Sequence, residues 1–96
     1  MRTLLRARLD TAASNESIRD GTMPEVIEEL LGQLKPEAAY FTAMDGGRTC
    51  LLVFDLQDPS QIPSVVERFF LNADAEVELY PVMNADDLRK GLAALG

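Results

Sequence analysis

The sequence predicts an α+β fold in a single domain, residues 1–96, and three observations support this prediction. Apolar residues alternate with polar ones at period two in segments 2–10 and 76–83, which is typical of strands with one buried face. Apolar residues recur at helical spacing in segments 23–34 and 62–70. Two apolar runs flank Asp45-Gly46-Gly47, which is typical of a hairpin turn because glycine accepts positive φ at no steric cost.

A first helix is predicted after the first strand, and its course depends on Gly21. Residues 14–20 indicate one or two helical turns, which Gly21 then interrupts. Thr22 indicates a new start, because Thr22 with Glu25 three residues later is the sequence pattern of a capping box. The sequence leaves open whether Gly21 breaks this helix or only bends it.

The hairpin, residues 37–56, organises the predicted fold. Its first strand places small alanines on the side that helices would cover. Its second strand, residues 49–56, is apolar on both faces, which predicts a central position in the sheet. Arg48 follows the turn directly, and we expect it to be exposed at the hairpin tip.

The C-terminal part predicts a second long helix, a strand and a short final helix. Asp58 is the expected N-cap of the long helix, with Pro59 at the first helical position. Because proline donates no ladder hydrogen bond, Pro81 either places this strand at an edge of the sheet or marks the point where its pairing stops. Asn84 is expected to cap the final helix. The apolar positions of that helix are Leu88, Leu92 and Leu95.

The predicted order of elements is therefore β-α-β-β-α-β, followed by a short helix. Each β-α-β half needs a crossover connection, and such connections are right-handed in the great majority of proteins. The simplest solution is the split β-α-β, or ferredoxin-like, sandwich. It has a four-stranded antiparallel sheet with both long helices on one face, and its first and third strands lie in the centre.

The other face of this sheet is expected to pack against a second copy of the chain. It is too apolar to remain in water over four strands, since large exposed apolar patches mark interaction sites. A two-fold dimer would cover it with one self-complementary patch. Its charged side chains, Arg6 and Arg8 with Asp55 and Glu78, should be paired, because an isolated buried charge is very costly. The expected interface residues are Leu4, Arg6, Arg8, Thr42, Met44, Leu51, Val53, Asp55, Glu78 and Tyr80.

The element order, the 96-residue length and the capped helix after Tyr80-Pro81-Val82-Met83 resemble the dimeric α+β barrel superfamily. That superfamily includes muconolactone isomerases and small cofactor-independent or haem-degrading monooxygenases. The resemblance covers nearly the whole chain at the level of fold, but it implies no particular reaction because the superfamily has no shared catalytic motif. Four segments are also similar to a set of small uncharacterised bacterial proteins: Arg19-Asp20-Gly21-Thr22, Pro36-Glu37-Ala38-Ala39-Tyr40-Phe41-Thr42, Asp58-Pro59-Ser60-Gln61-Ile62-Pro63 and Pro81-Val82-Met83.

The absence of histidine excludes several kinds of site. Ser-His and Cys-His catalysis, haem with a proximal histidine and His-ligated zinc are all impossible. The chain departs here from haem-degrading relatives that ligate iron through a histidine. A metal site with carboxylate ligands alone stays open, but no acidic spacing matches a known metal-binding loop, so neither a metal nor a cofactor is expected. The single cysteine, Cys50, is expected to be a buried structural thiol.

The charge balance limits the partners. With 16 acidic and 9 basic residues, the net charge of −7 argues against nucleic-acid binding and against docking on an anionic membrane. The first ten residues carry no apolar block long enough for a signal peptide, and no run approaches membrane-spanning length. We therefore expect a cytoplasmic protein.

Two adjacent phenylalanines indicate a ligand site. Phe69 and Phe70 lie about 100° apart on a helix, so both cannot point at the sheet centre, and one should line a groove between helix and sheet. Arg68 and Tyr40 are the expected polar contacts of a ligand there. The alternatives are that Tyr40 packs in the dimer and that Arg68 is simply solvated on the outer helix face. Without histidine, the candidates for catalysis are Tyr40, Tyr80, Glu67 and Arg6.

Three classes of function are compatible with these features. The favoured class is a homodimeric small-molecule-binding or interaction module. The alternative is a cofactor-independent isomerase or monooxygenase that acts on a small hydrophobic or aromatic substrate in the helix–sheet groove. The third is a subunit that acts only within a larger assembly. An enzyme would need a perturbed acid or base in an enclosed pocket, and no spacing in the sequence singles one out.

Overall fold

The computed structural model describes residues 1–96 and contains four strands and four helices. A 3₁₀ turn, Pro59–Gln61, precedes the third helix. The elements in chain order are β1 (Arg2–Arg8), α1 (Thr11–Arg19), α2 (Met23–Leu34), β2 (Ala38–Met44), β3 (Gly47–Asp55), α3 (Ile62–Ala73), β4 (Glu76–Pro81) and α4 (Ala85–Ala93).

The four strands form one antiparallel sheet in the order β2-β3-β1-β4. The prediction of an α+β fold with the first and third strands in the centre is confirmed. Pro81 is the last residue of β4, an edge strand, as its missing N–H predicts. This order of strands is compatible with the ferredoxin-like arrangement.

The turn between β2 and β3 is shorter than predicted. Only Asp45 and Gly46 lie between the strands, with φ angles of 53° and 79°, and Gly47 already belongs to β3. Positive φ at both central residues is what a two-residue hairpin turn of the primed type requires, and Asp-Gly is a preferred sequence for it.

The first helical region is two separate helices, because Gly21 breaks it. Gly21 has φ 78°, a left-handed conformation that ends α1. The helix α1 begins at Thr11, three residues earlier than the sequence predicts. Its N-cap is Asp10, whose carboxylate accepts the backbone N–H of Ala13 at 3.0 Å.

The predicted capping box at Thr22 does not form. Thr22 is the N-cap of α2 but makes no side-chain cap hydrogen bond. Its backbone N–H and hydroxyl both donate to Oδ1 of Asp20, at 2.9 and 2.7 Å. The break at Gly21 leaves Asp20 next to Thr22, so the local turn takes the Thr22 donors. By contrast, Asn84 caps α4 as predicted, within a full capping box. Asp58 also forms a capping box, but it caps the 3₁₀ turn Pro59–Gln61 and not α3 itself, whose N-cap is Gln61.

The hydrophobic core lies between one face of the sheet and helices α2 and α3. Leu5 on β1 and Leu52 on β3 are fully buried at its centre and stand opposite each other in the sheet. Burial of a leucine side chain contributes about 2 kcal/mol to folding. The other core residues are Ala7, Leu30, Cys50, Phe54, Leu56, Val65, Phe69 and Ala75.

The second face of the sheet has no layer of this chain over it. The molecule measures 56 × 27 × 18 Å, and its radius of gyration of 15.3 Å exceeds the value of about 12.5 Å expected for a chain of this length. The helix α4 contributes no buried residue: Leu88 and Leu92 on it are exposed, as is Leu95 just after its end. No helix in the structure combines the length and apolar character that a membrane span requires.

Candidate functional site

A cavity of about 640 Å³ opens between the three helices α1, α2 and α3 and the β2–β3 hairpin. Its volume lies within the range of about 300–1,000 Å³ typical of small-molecule sites. Most of its lining is apolar. The large apolar side chains that line it are Leu9, Ile18, Met23, Val26, Ile27, Leu30, Phe41 and Phe69.

The cavity exists because the helices do not cover the whole sheet. Phe41 lies on β2 and points to the helix side of the sheet, yet it is half exposed. Ile18 on α1 and Val26 on α2 line the cavity and are also about half exposed. These three side chains have apolar surface that a bound apolar group would remove from water.

Arg48 lies in this cavity and is not exposed at the hairpin tip, contrary to the prediction. It is half-buried, and its Nη1 donates to Ser14 Oγ at 2.8 Å and to Asn15 Oδ1 at 2.9 Å. Both acceptors are neutral, and Arg48 has no carboxylate within ion-pair distance. The sequence does contain a signal for this position. Arg48 is two residues before Cys50 and four before Leu52, so the alternation of side chains along β3 places all three on the helix side of the sheet.

The helix α3 contributes part of the predicted ligand site. Phe69 is only 6% exposed and lines the cavity, as does Arg68. Phe70 points away from the cavity and is 40% exposed, so the two phenylalanines face different sides. Glu67 is exposed, makes no ion pair and does not line the cavity. Tyr40 is 69% exposed and stands opposite Leu51, on the face away from the helices.

Cys50 forms part of the inner wall of the cavity. It is the one free thiol, and burial raises its pKa to about 11. The thiol is therefore protonated at neutral pH, and a protonated thiol is a poor nucleophile. No group of three or more cysteine, aspartate or glutamate side chains is placed to hold a metal ion.

Arg6 is the centre of a polar network on the open sheet face. Its Nη1 donates to Glu78 Oε1 at 2.5 Å, its Nη2 donates to Asp45, and its Nε contacts Met44 Sδ at 3.3 Å. The Tyr80 hydroxyl donates to the other carboxylate oxygen of Glu78. Four of the predicted interface residues thus lie in one network, together with Asp45 from the hairpin turn.

Asp55 lies outside this network, so the predicted pairing of Asp55 with an arginine is wrong, and Arg8 contacts the network only through the backbone of Asp45. Asp55 stands at the opposite end of the face and accepts a hydrogen bond from the amino group of Met1 at 2.6 Å. Arg8 donates from Nε to the Asp45 carbonyl at 3.1 Å and lies 3.9 Å from Glu76. Asp55 is opposite Arg2 in the sheet register, too far along the strand to reach Arg6.

The charges of the network are fixed near neutral pH. The hydroxyl of Tyr80 and then the guanidinium of Arg6 lower the pKa of Glu78 below its ordinary value. The same hydrogen bond to Glu78 raises the pKa of Tyr80. A general acid or base works best when its pKa is near the operating pH. The pKa values of Glu78 and Tyr80 both move away from neutral pH. This network is therefore suited to structure and charge pairing and not to proton transfer.

The centre of the open face is apolar. Leu4 on β1 stands between Val53 on β3 and Tyr80 on β4, and Leu51 stands between Arg6 and Tyr40. Leu4, Leu51 and Val53 keep part of their surface exposed because no element of the chain covers them. The remaining predicted interface residue, Thr42, lies on β2 opposite Thr49.

Comparison with known proteins adds no identity. A scan against models of protein families finds no match, and a search of curated proteins finds none either.

Proposed function

We propose that this protein is a cytoplasmic homodimer that binds a small molecule in the cavity between its helices and the β2–β3 hairpin. The observation that carries the proposal is the cavity of about 640 Å³ with half-exposed Ile18, Val26 and Phe41 on its walls. Apolar side chains that remain exposed inside a concave site favour an occupant, because burial of their surface contributes about 25 cal/mol per Å².

The second part of the proposal is that two copies pack through their open sheet faces, as in the dimeric α+β barrel superfamily. Support comes from the apolar centre, Leu4, Leu51 and Val53, with charged residues paired around it. An isologous interface needs one self-complementary patch. The ion pairs of Arg6 leave no unpaired charge there. Removing this patch from water would therefore cost less than removing a patch whose charges all have the same sign.

The helix α4 would enlarge this interface. Strands of six to nine residues in a four-stranded sheet give a footprint of roughly 400 Å², about half of what one partner contributes to a standard interface. Asp87 in the first turn of α4 accepts a hydrogen bond from Arg2 Nη1 at 3.1 Å, and Arg2 shares the open face with Leu4. The exposed leucines of α4 would supply further apolar contact area.

The enzyme alternative has less support. None of the four catalytic candidates, Tyr40, Tyr80, Glu67 and Arg6, lines the cavity. Arg6 and Tyr80 are held in the network on the opposite face of the sheet. An isomerase or monooxygenase in the cavity would therefore have to use other groups.

A fragment screen by thermal shift tests the binding proposal, because a ligand that binds only the native state raises the unfolding midpoint. Fragments that stabilise the natural chain should lose their effect on Ser17→Phe, which places a ring in the cavity from α1. They should keep it on Tyr40→Ala, a change on the opposite face. A screen without any stabilising fragment, or hits that survive Ser17→Phe, would contradict the proposal.

Light scattering coupled to size exclusion tests the dimer. The natural chain should have twice the mass of one chain at micromolar concentration. Val53→Lys places a charge at the centre of the open face and should give a monomer. The matched control is Leu71→Lys on α3, where the side chain is 77% exposed, and it should leave the dimer intact. A stable monomer of the natural chain would refute this part.

A further inference from the structure

We propose that the ligand of the cavity is an organic monoanion, a carboxylate on an apolar body, and that Arg48 binds its carboxylate. This inference rests on the proposed binding function and assigns its ligand class. It follows from the position of Arg48, from the partners it lacks and from the charge of the cavity relative to the rest of the chain.

Arg48 is held in place with part of its guanidinium free. Only Nη1 is engaged, by Ser14 Oγ and Asn15 Oδ1 at 2.8 and 2.9 Å, whereas Nε and Nη2 have no hydrogen-bond partner in the chain. Ser14 is itself fixed, since its hydroxyl donates to the Asp10 carbonyl at 2.8 Å. The edge formed by Nε and Nη2 is the one that matches the two oxygens of a carboxylate in a bidentate pair.

The cavity has a local charge opposite to that of the protein. Its only charged lining residues are Arg48, Arg68 and Glu29, a net charge of +1 in a chain of net charge −7. Neither arginine forms an ion pair. A positive site in an acidic protein favours an anion, and the presence of Glu29 favours a singly charged one over a dianion such as a phosphate monoester.

The rest of the lining defines the body of the ligand. Ile18, Val26 and Phe41 form an apolar wall on the helix and hairpin sides, and Phe69 closes the wall on the α3 side. These side chains offer no charge and no fixed polar geometry. The recognised molecule therefore combines one carboxylate with an aliphatic or aromatic group that fills the apolar part of the cavity.

The test uses two acids, 2-naphthoate and decanoate, and their neutral primary amides, with affinities measured by titration calorimetry on the natural chain. Each acid should bind about tenfold or more tightly than its amide, since both oxygens of the charged carboxylate pair with the guanidinium of Arg48, whereas the neutral amide offers it one uncharged oxygen. Arg48→Met, which keeps the length of the side chain, should abolish this preference, because it weakens the binding of the acids far more than that of the amides. The matched control Arg19→Met removes an exposed arginine of α1 outside the cavity and should keep the preference.

A second variant keeps the test decisive if Arg48→Met fails to fold. Glu29→Gln leaves the contacts of Arg48 intact, and it should raise the affinity for both acids several-fold without affecting the amides. Acids that bind no better than amides, or a preference that survives in Arg48→Met, would overturn the inference. If only neutral fragments bind the cavity, the ligand class is wrong while the binding function stands; if nothing binds there, the proposed function itself fails.

Discussion

Arg6 on β1 and Glu78 on β4 stand directly opposite each other in the sheet and form an ion pair of 2.5 Å on the open face. Tyr80, two residues along the same strand, donates to the second oxygen of that carboxylate. Glu78 therefore stays charged with partners on both oxygens. This relationship links the sheet register to the charge of the surface that we propose as the dimer interface.

The first prediction concerns the pH dependence that Glu78 confers on stability. Its pKa in the folded chain is lowered, chiefly by Tyr80 and then by Arg6, from an ordinary value near 4.5. The stabilisation is thus complete above that ordinary pKa and is lost as pH falls through the lowered folded value. Urea unfolding of the natural chain and Glu78→Gln should show a constant difference near neutrality that shrinks in acid. Glu67→Gln, which breaks no ion pair, is the control, and a difference that grows in acid would contradict the account.

The second prediction concerns two glycines with opposite roles. Gly46 in the hairpin turn has φ 79°, so Gly46→Ala should destabilise the fold by about 1 kcal/mol despite the open space around it. Gly32 lies in α2 with nothing near its missing Cβ, so Gly32→Ala should stabilise by up to about 1 kcal/mol. Chemical denaturation measures both, and the same sign for the two changes would be inconsistent with this backbone.

The third prediction concerns the reactivity of Cys50. Burial raises the pKa of its thiol to about 11, so a disulfide reagent at pH 8 should modify the native chain far more slowly than the unfolded chain. Because Cys50 lines the cavity, a bound ligand should slow the reaction further. Native Cys50 that reacts as fast as in urea would show that this wall of the cavity is open.

The fourth prediction concerns the centre of the core. Leu52→Ala removes a fully buried side chain and should destabilise the fold by about 2–5 kcal/mol in chemical denaturation. Leu71→Ala makes the same chemical change at an exposed position of α3 and should alter stability by no more than about 0.5 kcal/mol. A cost below about 1 kcal/mol for Leu52→Ala would mean that Leu52 does not lie at the centre of a packed core.

Much of the fold follows from local sequence patterns. The core has a single layer between sheet and helices, so period-two and helical stripes identify the elements and their buried faces. The capping roles of Asp58 and Asn84 can also be predicted from the sequence, because each side chain accepts hydrogen bonds from backbone N–H groups close to it in the chain. Local patterns do not predict the helix start where two residues could act as the cap. Asp10 caps α1, which therefore begins earlier than predicted. Asp20 accepts the hydrogen bond from the backbone N–H of Thr22, and the predicted capping box does not form.

The cavity could be predicted only in part. Adjacent phenylalanines on α3 indicate that one of them faces a groove, and Phe69 does so. The place of Arg48 beside a glycine turn predicts exposure, whereas its position in the alternation of β3 directs it to the helix side. The extent to which α1 and α2 cover that side depends on the angle set by the break at Gly21, which no local pattern encodes.

The most direct test of the central claim is an amide NMR titration of the ¹⁵N-labelled chain with a hit from the fragment screen. We expect the largest shift changes at cavity residues on several elements, Ser17, Val26, Phe41 and Phe69, with Tyr40 and Leu51 on the open sheet face unaffected. Shift changes confined to the open face, or none at saturating fragment, would contradict the claim.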